Sequence, residues 1–159
     1  MKRTLFATLL LLNLAGLSTI RAQETALVTD VKISFFTPAR TDDKDANTQI
    51  TATLYTAMGK KVASLDKCCG NIRYPDANYT SSTYQLGMRG TASKTEIQSG
   101  YFDIHIDPAG NDKWVFMPIL QITFSDGSTV TIKGVDSDTP YTKRLVTQDV
   151  PDTSFPFHL

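Results

Sequence analysis

The chain has 159 residues, 41% hydrophobic and 20% charged, with 16 basic and 16 acidic side chains. That length fits one domain with a self-sufficient core, and the even charge balance excludes a nucleic-acid binder that works through a basic surface. Two cysteines exclude a disulfide framework and, with no further Cys or nearby His, a zinc–thiolate centre.

Lys2 and Arg3 open the chain, Leu5 to Leu17 is almost wholly apolar, and a more polar stretch ends at Ile20-Arg21-Ala22. This is the three-part form of a secretory signal peptide, and the apolar run is short for a membrane helix. Residues 1–22 are therefore expected to be a leader cleaved after Ala22, with a secreted mature protein, periplasmic or extracellular. No cysteine follows the apolar run, which argues against a lipid anchor. Cleavage leaves 137 residues, 13 basic and 16 acidic, a net charge of −3.

Residues 28–36 alternate Val31, Ile33 and Phe35 with Asp30, Lys32 and Ser34, the period of a half-buried strand. Pro38 ends it. Thr37 to Thr48 then reads T-P-A-R-T-D-D-K-D-A-N-T, with three aspartates in four positions. A second strand follows, with Ile50, Ala52 and Leu54 on one face. Met58-Gly59-Lys60 turns the chain, and Lys61 to Leu65 returns as a third. Asp66 to Ser82 has no period and reads as a long loop. It holds Cys68-Cys69, which can close a ring with each other, pair with another molecule or stay free. It also holds Asn78-Tyr79-Thr80, a glycosylation acceptor if the source is a eukaryote.

Tyr84, Leu86 and Met88 mark a fourth strand, and Ile97 to Asp107 a fifth. Trp114 to Phe124 is the sixth, where Pro118 predicts a bulge or an edge position. Ser125-Asp126-Gly127-Ser128 turns into a seventh strand at Val130 and Ile132. Tyr141 to Thr147 gives an eighth. Residues 148–159 form a Pro-punctuated tail carrying Phe155, Phe157 and Leu159. No helical period is sustained, so the expected fold is all-β: an antiparallel β-sandwich of about eight strands over residues 23–147.

If successive strands run up and down, alternate connections share one end. Thr37 to Thr48, Asp66 to Ser82, Asp107 to Lys113 and Gly134 to Pro140 then converge. Asp and Asn favour turns through local hydrogen bonds, which accounts for any single loop. Asp42, Asp43 and Asp45 together are better accounted for by a hard cation. The expected calcium ligands are Asp42, Asp43, Asp45, Asp112 and Asp136. Lys44, Arg40, Lys67, Arg73 and Lys113 stand at the same end as competing neutralisers.

The run K-I-S-F-F-T-P-A-R-T-D-D-K-D-A-N-T-Q-I-T-A-T-L-Y, with Gly59 after it, resembles the opening of PLAT (lipoxygenase-homology) domains. F-D-I-H-I-D-P-A-G-N-D-K-W-V-F is similar to that family's Gly-containing turn and D-W signature. The resemblance spans Lys32 to Phe124. It implies an eight-stranded sandwich that binds lipid surfaces or protein partners, often with calcium in its end loops. By position Asp42, Asp43 and Asp45 match the acidic loop, and Asp112 and Trp114 the D-W signature. Pro38 and Asn47 stand where the family usually has Gly.

Trp114, Tyr74 and Tyr79 are the aromatic residues expected near a ligand, although a lone Trp is more often core. Asp103, His105 and Asp107 share an outward strand face and read as exposed polar positions. No nucleophile elbow, P-loop, H-E-x-x-H or dinucleotide fingerprint occurs. The expected function is a secreted, non-catalytic binding module, calcium-modulated, meeting a membrane surface or a protein partner. Carbohydrate binding and a structural or adhesive surface role are the alternatives.

Overall fold

A computed structural model describes residues 26–40, 43–109, 113–134, 144–147 and 152–159. The expected leader therefore lies outside the described residues. All regular structure among them is strand: β1 (Val28–Thr37), β2 (Gln49–Tyr55), β3 (Lys61–Cys68), β4 (Tyr79–Thr80), β5 (Tyr84–Gln85), β6 (Gly87–Met88), β7 (Tyr101–Asp107), β8 (Lys113–Phe124), β9 (Thr129–Lys133), β10 (Arg144–Thr147) and β11 (Asp152–Pro156). They form two antiparallel sheets. One runs β10-β8-β1-β4, with β5 also on β1 and β9 also on β8; the other runs β11-β7-β2-β3-β6. The all-β sandwich expected from the alternating sequence is the fold observed.

Alternation decides which side chains meet. Val31, Ile33 and Phe35 of β1 and Trp114, Phe116, Leu120 and Ile122 of β8 share one core with Ile50, Ala52 and Leu54 of β2 and Phe102, Ile104 and Ile106 of β7. Each fully buried Ile, Leu or Phe contributes about 1.5–3 kcal/mol.

Three elements differ from expectation. The fourth strand splits: β5 pairs with β1, Leu86 is buried, and β6 pairs with β3 in the opposite sheet. A period-two pattern cannot show that its two halves serve different sheets. Pro118 makes no bulge; the β1–β8 register is continuous from Asp30–Thr123 to Phe36–Met117. The N–H and carbonyl of its partner Phe35 both bond to Ser81, away from β8. The missing proline N–H thus faces the other edge of β8, at the gap after β10 pairs through Phe116 and before β9 pairs from Ile119. The tail, finally, belongs to the domain. β11 pairs with β7 along Asp152–Pro156, and Phe155 stacks on Phe102 at 4.9 Å. Pro156 is tolerated because β11 is an edge strand.

Candidate functional site

Three of the four connections expected to converge do so. Thr37 pairs with Tyr79, and Gln49 with Asp107. The Arg40 amide donates to the Asp76 carbonyl at 3.1 Å, and the Ala39 amide to Asn78 Oδ1 at 3.0 Å. Lys44 and Tyr74 exchange both backbone hydrogen bonds, each 3.1 Å. From the third connection the Ala109 amide donates to Thr48 Oγ1 at 2.9 Å. The connection after Gly134 lies outside the described residues.

The unexpected residue is Lys44, the one basic residue among the loop's aspartates. It is fully buried, at 0% exposure. Its ammonium donates to the carbonyls of Asp45 at 2.9 Å, Cys69 at 2.8 Å and Ile72 at 2.9 Å. Three N–H donors therefore meet three acceptors. The Nζ also lies 5.1 Å from the centre of the Tyr74 ring, a cation–π position. A buried ammonium without such partners would cost several kcal/mol. The 37–48 loop supplies the cation and the 66–82 loop supplies two of the carbonyls, so the charge holds one loop to the other.

The 66–82 loop is shaped for this by its cysteines. Cys68 and Cys69 are joined to each other, their Cα atoms 3.8 Å apart. Lys67 and Cys69 both have left-handed backbone, at φ 48° and 69°. For residues other than Gly that region costs roughly 1–2 kcal/mol each. It turns the Cys69 carbonyl onto Lys44, and the Cys69 carbonyl also accepts the Ile72 amide at 3.2 Å.

Beneath the loops lies an aromatic cluster. Trp114 packs on Phe116 at 4.0 Å, Phe35 at 5.5 Å and Tyr74 at 5.6 Å, and its indole N–H donates to Thr37 Oγ1 at 3.1 Å. The Tyr74 hydroxyl donates to the Tyr84 hydroxyl at 2.7 Å. Burial first, and then the bond to Tyr84, pushes the Tyr74 phenol far above the usual tyrosine range.

These placements reassign the expected ligand contacts. Trp114 and Tyr74 are 1% and 0% exposed and present no ring face to solvent. Tyr79 is half-buried and stacks on Tyr74 at 5.8 Å. Of the expected calcium ligands, Asp43 is ion-paired with Arg73, and Asp45 is exposed. Asp42, Asp112 and Asp136 lie outside the described residues. Among the described residues no group of three or more His, Cys, Asp or Glu side chains could hold a metal. Of the described candidates, the Asp43 carboxylate is committed to a guanidinium, and the buried position between Asp43 and Asp45 holds the Lys44 side chain. The outward row behaves as expected, with His105 and Asp107 exposed and Asp103 accepting from the Ser154 hydroxyl at 2.6 Å. The chain matches no family model, no curated protein and no solved structure.

Nothing in sequence marked Lys44 as interior. A lysine among three aspartates reads as a surface neutraliser, and only the crossing of a second loop over it removes its water.

Proposed function

We propose that this chain is a secreted, non-catalytic binding module that meets a protein partner through the loop end formed by residues 37–48 and 66–82. The observation that carries the reading is the Lys44 lock, which holds two long loops in one arrangement before any ligand arrives. Pre-ordered loops do not lose conformational freedom on binding, and this raises affinity without new contacts. The exposed residues support a protein rather than a lipid surface. Arg40, Lys67 and Arg73 stand exposed in the same loops as exposed Asp45, Asp66 and Asp76, and Ile72 is an exposed large apolar residue there, at 37%. Mixed charge suits a protein surface of complementary pattern, whereas an anionic bilayer requires a basic patch.

Calcium-dependent lipid binding, in the manner the PLAT resemblance implies, is the second reading. Here Asp45 with Asp42, Asp112 and Asp136 would hold the ion, and the ion would bridge to lipid phosphate. Sedimentation with phosphatidylserine vesicles separates the two. The protein-partner reading expects no sedimentation in either 1 mM EDTA or about 1 mM Ca²⁺, a concentration typical of extracellular calcium modules. Sedimentation in calcium alone, lost in Asp45→Asn, would establish the second reading instead.

A further inference from the structure

We propose that the Cys68–Cys69 disulfide is a thiol-exchange site, and that its reduction by a dithiol undocks the 66–82 loop from the 37–48 loop by releasing Lys44. Several observations meet at this point. The two cysteines are adjacent, so their bond closes a small ring around a single peptide and staples no distant parts of the fold. A disulfide that contributes nothing to long-range closure has another role open to it. Cys68 is half-buried while Cys69 is buried, so an incoming thiolate reaches the Cys68 sulfur first. And the Cys69 carbonyl is itself one of the three acceptors of the buried Lys44 ammonium.

The chemistry balances with a dithiol as the named reductant. One thiolate of the reductant attacks Cys68 Sγ; the Cys68–Cys69 bond breaks, and its electron pair leaves with Cys69 Sγ, which takes up a proton. The second thiol of the reductant attacks the mixed disulfide. Cys68 departs as a thiol, and the reductant becomes a disulfide. Two electrons and two protons have moved to the protein.

Opening the ring frees the Cys69 backbone from the left-handed conformation that an L-residue otherwise avoids. As its φ returns to negative values, its carbonyl swings off Lys44 Nζ. The buried ammonium then loses one of its three carbonyl acceptors, and the arrangement relaxes by separating the loops so that water reaches it. The Lys44–Tyr74 backbone bridge and the Ile72 amide bond to Cys69 go with it. The opening is confined to the crossing of the two loops: the Tyr74 ring remains packed on Phe35 and Trp114, and β4 remains paired with β1.

The consequence for partner binding rests on the loop-end reading above; the loop opening itself does not. Hydrogen exchange of the intact protein, before and after dithiothreitol with free thiols counted, tests it. The expected result is two thiols released under native conditions and at least tenfold faster exchange at the Lys44, Ile72 and Tyr74 amides, with β2 and β7 unchanged. The double variant Cys68→Ser/Cys69→Ser should exchange at the fast rate with or without reductant, and Lys44→Met should be fast in both redox states. Absence of released thiols, or unchanged exchange with two thiols counted, would overturn the proposal. If the loops open on reduction while capture of the protein partner is unaffected, the redox device stands and the loop-end reading of function fails.

Discussion

Lys44 shows how much one side chain contributes when it is buried with matched partners. Removing the ammonium takes a charged donor from three carbonyls, two of which, those of Asp45 and Cys69, keep the Thr48 and Ile72 amides at 3.2 Å each; a hydrogen bond to a charged group contributes about 1.5–3 kcal/mol. Lys44→Met should therefore lower stability by roughly 2–4 kcal/mol in urea unfolding, after allowing for partial hydration. Lys44→Arg should not restore it, because a planar guanidinium cannot direct its donors at three carbonyls arranged around a point. At the surface, titration acts in the other direction. The Asp30 carboxyl is held below its usual range first by the Gln85 amide and then by Lys32, Glu96 by the Ser93 amide, and Asp126 by the Ser128 hydroxyl and amide. Each folded value lies below the unfolded one. Their stabilisation is thus fully present above the unfolded carboxylate pKa of about 4 and is lost as pH falls through the folded values. The urea midpoint should be level down to about pH 5 and drop below about pH 4, and Asp30→Asn with Asp126→Asn should flatten that acid limb.

At the scale of the element, β11 and the turn before β7 behave as one unit. Phe157 and Leu159 donate backbone hydrogen bonds to Gly100 and Gln98, at 3.0 and 2.9 Å. Gln98 and Gly100 flank the end of a turn closed by a capping box, in which the Ser93 amide donates to Glu96 and the Glu96 amide to Ser93 Oγ. Gly134 lies against this region too: a Cβ there would sit 2.5 Å from Pro118 Cγ and 2.8 Å from Phe155 Cδ1. Gly134→Ala should thus destabilise by roughly 1–3 kcal/mol through overpacking, and Phe155→Ala by about 3–5 kcal/mol through a cavity over Phe102. A chain ending at Thr147 should lose its cooperative thermal transition, because β7 becomes an open edge with Phe102 uncovered. A cooperative melt within a few degrees of the full chain would show that the tail is an appendage.

For the whole molecule, the internal cation changes what calcium should do. If Lys44 and Arg73 suffice to neutralise the loop end, the fold assembles without a divalent ion. Differential scanning calorimetry should give the same melting temperature in EDTA and in millimolar Ca²⁺. A rise that Asp45→Asn abolishes and Asp43→Asn leaves intact would place a site on the exposed aspartates. Sequence alone sufficed for the strands of greatest amphipathicity: β1, β2, β7 and β8 follow from side chains alternating at every second residue, a purely local property. It also sufficed for the meeting of the first, third and fifth connections at one end, because alternate connections between up-and-down strands share an end whatever the strand order. It could not show which sheet each half of residues 84–88 joins, or that Phe155, Phe157 and Leu159 continue the alternation into an edge strand that tolerates Pro156. It left the cysteine ring undecided, since adjacency permits every redox outcome. Above all it could not place Lys44. Burial of a charge is decided by what another part of the chain lays over it, and the Cys69 and Ile72 carbonyls come from a loop more than twenty residues away.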